Sequence, residues 1–234
     1  MTSPPPARCS RRHLADDAAP RARHILDECH SIIEGDHFVY VNGDHGAGWI
    51  DKDVIFPDTR HPDVLGKLLA DAVRDAGADI VCGPATGGLI VSQWTAHHLR
   101  IPAVFSEHDP AWTRPPDAPP GTEMRGPFIL RRGYDATVRG KRVLVVDDIV
   151  NTGHSVRQTA GAIRAAGGNP VATACFVTRG NAGGDDVGAS PFLYLLEELI
   201  PSWPAADCSL CRDHVPVNTT YAHGKEWVAA HGQP

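Results

Sequence analysis

The stretch Arg142–Ser155, RVLVVDDIVNTGHS, decides the fold because an apolar run, two carboxylates and a small-residue loop follow one another in it. The run from Val143 to Val146 is aliphatic without polar alternation, which predicts a strand buried on both faces of a parallel sheet. Asp147 and Asp148 stand at its carboxyl end, where open α/β sheets bind their ligands. The stretch therefore predicts an α/β fold with a ligand site at this edge.

The loop after the two carboxylates is suited to a phosphate group. It consists of Asn151, Thr152, Gly153, His154 and Ser155, and a helical pattern follows. Backbone N–H groups, hydroxyls and the helix dipole at such a junction can hold a phosphate, and the lysine typical of a nucleoside-triphosphate loop is absent. Carboxylates accept hydrogen bonds from vicinal hydroxyls, so the ligand should resemble ribose 5-phosphate. An Asp-Asp turn that only caps a helix is the alternative.

A second candidate anion site lies some 60 residues earlier, after the predicted strand DIVCG. Its two glycines and small neighbours would let backbone amides approach an anion closely. The residues are Pro84, Ala85, Thr86, Gly87 and Gly88. A plain tight turn is the alternative for this loop taken alone.

At Arg142–Ser155 the chain closely resembles the type I phosphoribosyltransferases, whose hallmark is an aliphatic strand, two acidic residues, two apolar residues, Thr-Gly and a small hydroxyl residue. The resemblance implies that Asp147 and Asp148 face the ribose hydroxyls of phosphoribosyl pyrophosphate (PRPP). It also implies that residues 151–155 wrap the 5-phosphate and that residues 84–88 bind pyrophosphate, often through a non-proline cis peptide. Members of this family are commonly homodimers, and the same is expected here.

The expected chemistry is displacement of pyrophosphate at the anomeric carbon through a cationic sugar. PRPP carries several negative charges and the sequence has no lysine cluster, so a magnesium ion is expected with it. The Pro- and Gly-rich stretch from His108 to Gly126 is the natural lid. Within it Arg114 and Arg125 are candidate catalytic residues that could reach the pyrophosphate, and Glu107 or His108 could handle protons. A solvated loop with scattered charges is the alternative.

Beyond the PRPP motif, the chain looks most like the orotate phosphoribosyltransferase branch. The stretch HFVYVNGDHGAGWIDKD resembles the hood hairpin that covers the base in those enzymes. The resemblance implies acceptor contacts from Arg179, from the aromatic ring of Trp49 and from His45, which stands where the hood carries a basic residue. Family lysines are absent from the pyrophosphate loop and from the lid, so another nucleobase-like or carboxylated heterocycle stays open as acceptor. A non-catalytic PRPP-sensing regulatory protein is the alternative function.

The composition of the 234-residue chain bounds its organisation. With 42% hydrophobic residues, 21% charged residues and a net charge of −6, it gives no general reason to bind nucleic acid or an acidic membrane. It shows no signal peptide, no apolar run for a transmembrane helix and no dense cysteine scaffold, so a cytoplasmic location is expected.

The expected fold is a central, mainly parallel sheet flanked by helices. A small hood is expected from the N-terminal hairpin, with the C-terminal segment as a further candidate part of it. The predicted divisions are a disordered tail at 1–20, an N-terminal helix and hood hairpin at 21–60, a PRPP-binding core at 61–185 and a C-terminal extension at 186–234. The pattern places Ile25, Ile32 and Ile33 on the first helix, and the chain after about Gly180 is expected to be less regular.

The C-terminal extension contains a C-x2-C pair, Cys208 and Cys211, with His214 and His223 nearby. This spacing can form half of a structural zinc site, but a closed site needs four ligands. Reduced thiols at a turn are the alternative. Similar CxxC tails occur in some orotate-type relatives, which supports the resemblance to that branch but does not indicate a role for the tail.

Overall fold

A computed structural model describes residues 17–40, 42–115, 125–180 and 182–234 of the chain. It forms two compact units, and the second unit consists of His24–Ile55 and Leu199–Pro234. Helix α1 (Ala18–Glu28) begins inside the predicted tail, which is wrong from Asp17 onward, and residues 1–16 lie outside the described part. Among the described residues, no helix combines the length and the apolar character needed to cross a bilayer.

The first unit contains a six-stranded sheet in the order β5-β4-β3-β6-β7-β8. Neighbouring strands are parallel except for the pair of β4 and β5, which confirms the predicted mainly parallel sheet. The strands are β3 (Ile80–Pro84), β4 (Ala103–His108), β5 (Phe128–Ile129), β6 (Arg142–Val150), β7 (Asn169–Thr178) and β8 (Phe192–Glu197). The aliphatic run of β6 is fully buried at the centre of this sheet, as a strand covered on both faces must be.

Helices pack against the sheet and fix the loops at the carboxyl ends of its strands. They are α2 (Arg60–Val73), α3 (Gly87–Leu99), α4 (Tyr134–Val138) and α5 (His154–Ala165). Helix α3 contacts β3, β4 and β6, and α5 contacts β3, β5, β6 and β7. Helix α3 begins shortly after β3 ends, and helix α5 begins shortly after β6 ends.

Strand β8 is one of the elements that the sequence pattern missed. Its residues, FLYLLE, extend the sheet beyond the predicted core boundary at 185 and pair with β7. A short apolar run bounded by Pro191 and Pro201 has no periodicity that separates a buried strand from an irregular segment.

The second unit contains a small antiparallel sheet in the order β1-β2-β9. Its strands are β1 (Ile32–Val39), β2 (His45–Ile50) and β9 (Ser202–Trp203), and the short helices α6 (Ser209–Arg212) and α7 (Gly224–His231) follow. The predicted hairpin is present, with Gly43 at φ +84° in its turn. The C-terminal segment joins the hairpin through β9, as the hood prediction allowed.

The placement of Ile32 and Ile33 on the first helix is wrong, because both residues begin β1. The chain leaves α1 through His30, which has a φ of +51°, while the N–H of Ser31 donates to the carbonyl of Leu26 at 2.9 Å. Two adjacent β-branched residues after this turn fit a pleated strand better than a helix.

Candidate active site

Two carboxylates are fixed near the carboxyl end of β6, which continues past them to Val150. Asp147 and Asp148 are only 8% and 6% exposed. The N–H of Asp148 donates to Oδ1 of Asp147 at 3.0 Å, and the N–H of Ile149 donates to Oδ1 of Asp148 at 2.6 Å. The backbone itself therefore orients both carboxylates at the sheet edge that the sequence predicted.

The glycine loop after β3 packs directly against these carboxylates. A Cβ atom on Gly87 would lie 1.6 Å from Oδ2 of Asp148, and one on Gly88 would lie 3.0 Å from Oδ1 of Asp147. The peptide between Ala85 and Thr86 is cis. The structure thus brings together the loop of residues 84–88 and the acidic pair, which the sequence assigned to one ligand.

This close approach gives a physical reason for glycine at position 87. No side chain can leave Gly87 in this conformation without displacing the Asp148 carboxylate. The carbonyl of Gly88 also lies close to Gly83, where a Cβ would be 2.0 Å from the carbonyl oxygen. Backbone, rather than side chain, therefore forms this wall of the site.

The predicted phosphate loop leads from β6 into α5. Gly153 precedes the helix with a φ of +76°, and a Cβ there would lie 2.4 Å from the carbonyl oxygen of Asp186. Within the part of the chain that the structure describes, no side chain caps the N-terminus of this helix. His154 accepts a hydrogen bond from Gln158 at 2.6 Å, so its ring is tied to the helix. The loop has the backbone geometry of an anion site, while the role of each residue from 151 to 155 stays a prediction.

Arg179 follows β7 and lies beside the end of β6. It is 8% exposed, and its N–H donates to the carbonyl of Val150 at 2.9 Å. A nearly buried guanidinium at this edge suits recognition of a carboxylate or carbonyl group. Its predicted contact with the acceptor is consistent with this placement.

The predicted lid leaves and rejoins the sheet at β4 and β5. His108 Nδ1 donates to the carbonyl of Gly126, and the N–H of Asp109 donates to the carbonyl of Pro127 at 2.9 Å. Arg114 and Arg125 are exposed on either side of residues 116–124, which lie outside the described part. Their catalytic roles stay predictions.

Glu107 has partners that compete with the proton-transfer role suggested for it. Its carboxylate oxygens lie 3.4 Å from Arg131 and 3.1 Å from Arg132. Because its carboxylate is engaged by two guanidinium groups, this residue is better suited to holding the base of the lid.

Of the two expected acceptor contacts in the hairpin, Trp49 is half-buried and His45 is fully buried. The Trp49 ring lies 6.4 Å from the rings of Phe38 and Tyr40. His45 lies instead inside a cluster of histidine and cysteine side chains, with its Nδ1 atom 2.8 Å from Nε2 of His37. Since no part of His45 is exposed, we correct its assignment from acceptor contact to member of this cluster.

The cluster consists of His37, His45, Cys208 and Cys211, whose ligand atoms all lie within 4.8 Å of one another. Burial, followed by the neighbouring His37, lowers the pKa of His45, and burial raises the pKa of Cys211. The CxxC spacing identified the two cysteines, but His37 and His45 were missed as their partners because each lies more than 150 residues away along the chain.

Comparison with protein families finds the phosphoribosyl transferase domain at residues 59–192. The orotate phosphoribosyltransferase of Brucella anthropi is 36% identical over 184 residues, which cover 77% of this chain and 85% of that protein. The orotate phosphoribosyltransferase of Thermotoga maritima is 29% identical over 202 residues, covering 86% of this chain and 98% of that protein.

Solved structures show the same fold. The orotate phosphoribosyltransferase of Aeropyrum pernix superposes with a TM-score of 0.56 at 24% identity, over 75% of this chain and 92% of that one. The Mycobacterium tuberculosis orotate phosphoribosyltransferase, solved in complex with PRPP, superposes with a TM-score of 0.53 at 21% identity, over 77% and 96%.

Proposed function

We propose that this chain, which belongs to the phosphoribosyl transferase family, transfers ribose 5-phosphate from PRPP to orotate and releases pyrophosphate. The observation that carries the proposal is the buried pair Asp147 and Asp148 closed against the backbone of Gly87 and Gly88. The orotate-specific names of the relatives from Brucella and Thermotoga support the choice of acceptor.

The acidic pair would hold the sugar through its hydroxyl groups. Ionised carboxylates accept strong hydrogen bonds from hydroxyls, and burial strengthens these bonds by excluding competing water. One oxygen of each carboxylate, in Asp147 and in Asp148, already accepts a hydrogen bond from the backbone N–H of the following residue. These bonds fix the orientation of both carboxylates before the sugar binds. The start of α5 would hold the 5-phosphate through backbone N–H groups.

The reaction requires one bond to break and one to form at the anomeric carbon. The bond to pyrophosphate breaks with its electron pair on the leaving oxygen. A ring nitrogen of orotate bonds to the same carbon, and the proton of that nitrogen passes to solvent. Positioning and exclusion of water supply much of the acceleration in such a displacement. In our proposal Arg179 orients the acceptor, while Arg114 and Arg125 approach the leaving pyrophosphate.

A magnesium ion fits the donor set of this site. Asp147 and Asp148 provide buried carboxylate oxygens, and Mg²⁺ is usually bound through one or two carboxylates together with phosphate oxygens and water. When bound, the ion would neutralise charge on the pyrophosphate. The protein's own residues position the sugar and hold the acceptor. In our proposal the lid from His108 to Gly126 closes over the sugar.

The absence of lysines from the pyrophosphate loop and the lid is the feature that favours the PRPP-sensing alternative, whereas the relatives named orotate phosphoribosyltransferase support a catalytic protein. Our proposal includes orotate as the acceptor. It also includes assembly as a homodimer and a location in the cytoplasm. Size-exclusion chromatography with light scattering tests the dimer, and fractionation of the source cells tests the location.

The experiment that tests the proposal measures pyrophosphate release from PRPP and magnesium across orotate, uracil, purines and carboxylated azoles. We expect turnover with orotate. Turnover with a different heterocycle only would overturn the acceptor, and PRPP binding without turnover on any of them would favour the sensor.

A paired set of variants tests the site itself. Asp147→Asn with Asp148→Asn should weaken PRPP binding at least about tenfold in calorimetry, because hydrogen bonds to charged groups contribute about 1.5–3 kcal/mol each. Asp135→Asn with Asp185→Asn removes the same charge from exposed positions and should change the affinity less than about twofold. Equal effects of the two double variants would refute the assignment of the acidic pair.

A further inference from the structure

We propose that His37, His45, Cys208 and Cys211 form a closed structural zinc site that fastens the C-terminal segment to the hairpin. All four residues belong to the second unit, outside the stretch matched by the family model. None of the four is among the residues assigned to PRPP.

Three of the distances within the cluster fit a tetrahedral ion, and a fourth comes close to it. The Sγ atom of Cys208 lies 3.6 Å from Nε2 of His37, and that of Cys211 lies 3.4 Å from Nδ1 of His45 and 3.8 Å from Nε2 of His37. Zinc bonds of about 2.0–2.3 Å to nitrogen and sulfur in tetrahedral geometry place neighbouring ligand atoms roughly 3.3–3.8 Å apart. The two nitrogens, at 2.8 Å, need to separate by only about half an ångström to reach this range.

The surroundings of His37 select the nitrogen that faces the cluster. Its Nδ1 donates to the carbonyl of Val215 at 2.8 Å, so Nε2 carries no proton in the neutral ring and is available as a ligand. A histidine held by a backbone carbonyl on its other nitrogen is the usual arrangement around zinc. The carbonyl of His37 also accepts from the N–H of Asn218 at 2.7 Å, which anchors this residue further.

The irregular pairing of β1 explains how His37 reaches the cluster. The register between β1 and β2 shifts between Glu34 and Phe38, and Gly35 takes a φ of +76° in this interval. A bulge of this kind changes the direction in which its side chains point. His45 begins β2, and its ring packs edge-on against Trp227 with a centroid distance of 5.0 Å. The hairpin thus supplies two ligands from two adjacent strands.

The two cysteines come from one helical turn. Cys208 precedes α6 and accepts the N–H of Arg212 at its carbonyl, and Cys211 lies within the helix. The C-x2-C spacing places both sulfur atoms on the same side of the turn. A metal bound here would join Cys208 and Cys211 to strands more than 150 residues earlier in the chain.

A structural metal ion that links two segments of chain suits the small size of the second unit. Its two segments, His24–Ile55 and Leu199–Pro234, form only a three-stranded sheet and short helices. Below about 70–80 residues, a hydrophobic core alone supplies little stability, and a structural metal is one of the usual additions. Four protein ligands leave no open coordination position, so the ion would stabilise the fold and would not take part in chemistry.

The test measures the metal content of the full chain purified from cells grown with added zinc. We expect one zinc per chain in the wild type. Cys211→Ser and His37→Ala should each lower retained zinc at least about tenfold after dialysis against a weak chelator. The matched control is His214→Asn, because the sequence spacing favours His214 as a ligand while the structure leaves it outside the cluster. This variant should keep its zinc.

Cobalt substitution of the wild type gives a readout that does not depend on any variant folding. A tetrahedral site with two thiolates should show intense visible d–d bands and a thiolate-to-cobalt charge-transfer band. Removing the metal with a strong chelator should lower the melting temperature by roughly 5 °C or more, and zinc should restore it. Zinc-free wild-type protein that melts at the same temperature with and without added zinc would overturn the proposal. Loss of zinc in His214→Asn but not in His37→Ala would also overturn it.

Discussion

Replacing Gly87 by alanine should disable the active site while leaving most of the fold in place. A Cβ at this position would lie 1.6 Å from Oδ2 of Asp148, whereas ordinary contacts begin at 3.4 Å. The loop or the carboxylate must therefore move by about 1.8 Å, the difference between these two distances. A misplacement of about 1 Å at a reacting centre can cost about 100-fold in rate. We expect kcat/KM of Gly87→Ala to fall at least about 100-fold, which corresponds to about 2.7 kcal/mol.

The assay is steady-state pyrophosphate release with PRPP and orotate, together with calorimetric PRPP binding and a thermal melt. The matched control is Gly161→Ala, because Gly161 lies within α5 and a Cβ there meets nothing within 4 Å. This control should keep wild-type kinetics and gain roughly 0.5–1 kcal/mol in stability from the better helix former. If Gly87→Ala retained wild-type kcat/KM, the packing of the loop against Asp148 would not position the site, and the reasoning would be refuted.

Three further predictions follow from individual contacts. Gly153→Ala should raise the Kd for PRPP and lower the melting temperature, because position 153 has a φ of +76° and a Cβ there would lie 2.4 Å from the carbonyl oxygen of Asp186. Unchanged PRPP binding in calorimetry would contradict this prediction. Ser106→Ala should cost about 1–3 kcal/mol in urea unfolding, because it removes the partner of the fully buried Thr159 hydroxyl at 2.7 Å, and a variant as stable as wild type would count against it. Burial raises the pKa of Cys82 to about 12, so this thiol stays protonated at pH 8 and should resist iodoacetamide in the native protein; peptide mass spectrometry showing prompt alkylation would disprove its burial.

The core of the fold and the acidic pair of the site could be predicted because the residues that indicate them lie close together in the sequence. The aliphatic run of β6, the two aspartates and the glycine after them lie within a single stretch of chain, so burial and position at the sheet edge follow from their order. The loop of residues 84–88 could be predicted for the same reason. Its contact with Asp148 follows once both strands are parallel neighbours in one sheet.

Other features could not be predicted because they depend on distant partners. Strand β8 reads as an irregular apolar run until β7 provides its hydrogen-bonding edge. His37 and His45 look like ordinary hairpin residues, and only the folded chain brings them to Cys208 and Cys211. The spacing rule for zinc favoured His214 because such rules describe ligands close in sequence, whereas this cluster joins two ends of the chain.

The most direct test of the central claim is to incubate the protein with PRPP, magnesium and orotate and to quantify both products by mass spectrometry and pyrophosphate detection. The account predicts that orotidine 5′-phosphate and pyrophosphate appear in equal amounts, and that with subsaturating PRPP both appear at least about tenfold more slowly with the variant Asp147→Asn, Asp148→Asn. PRPP that is bound by the wild-type protein but yields no nucleotide with saturating orotate would contradict it.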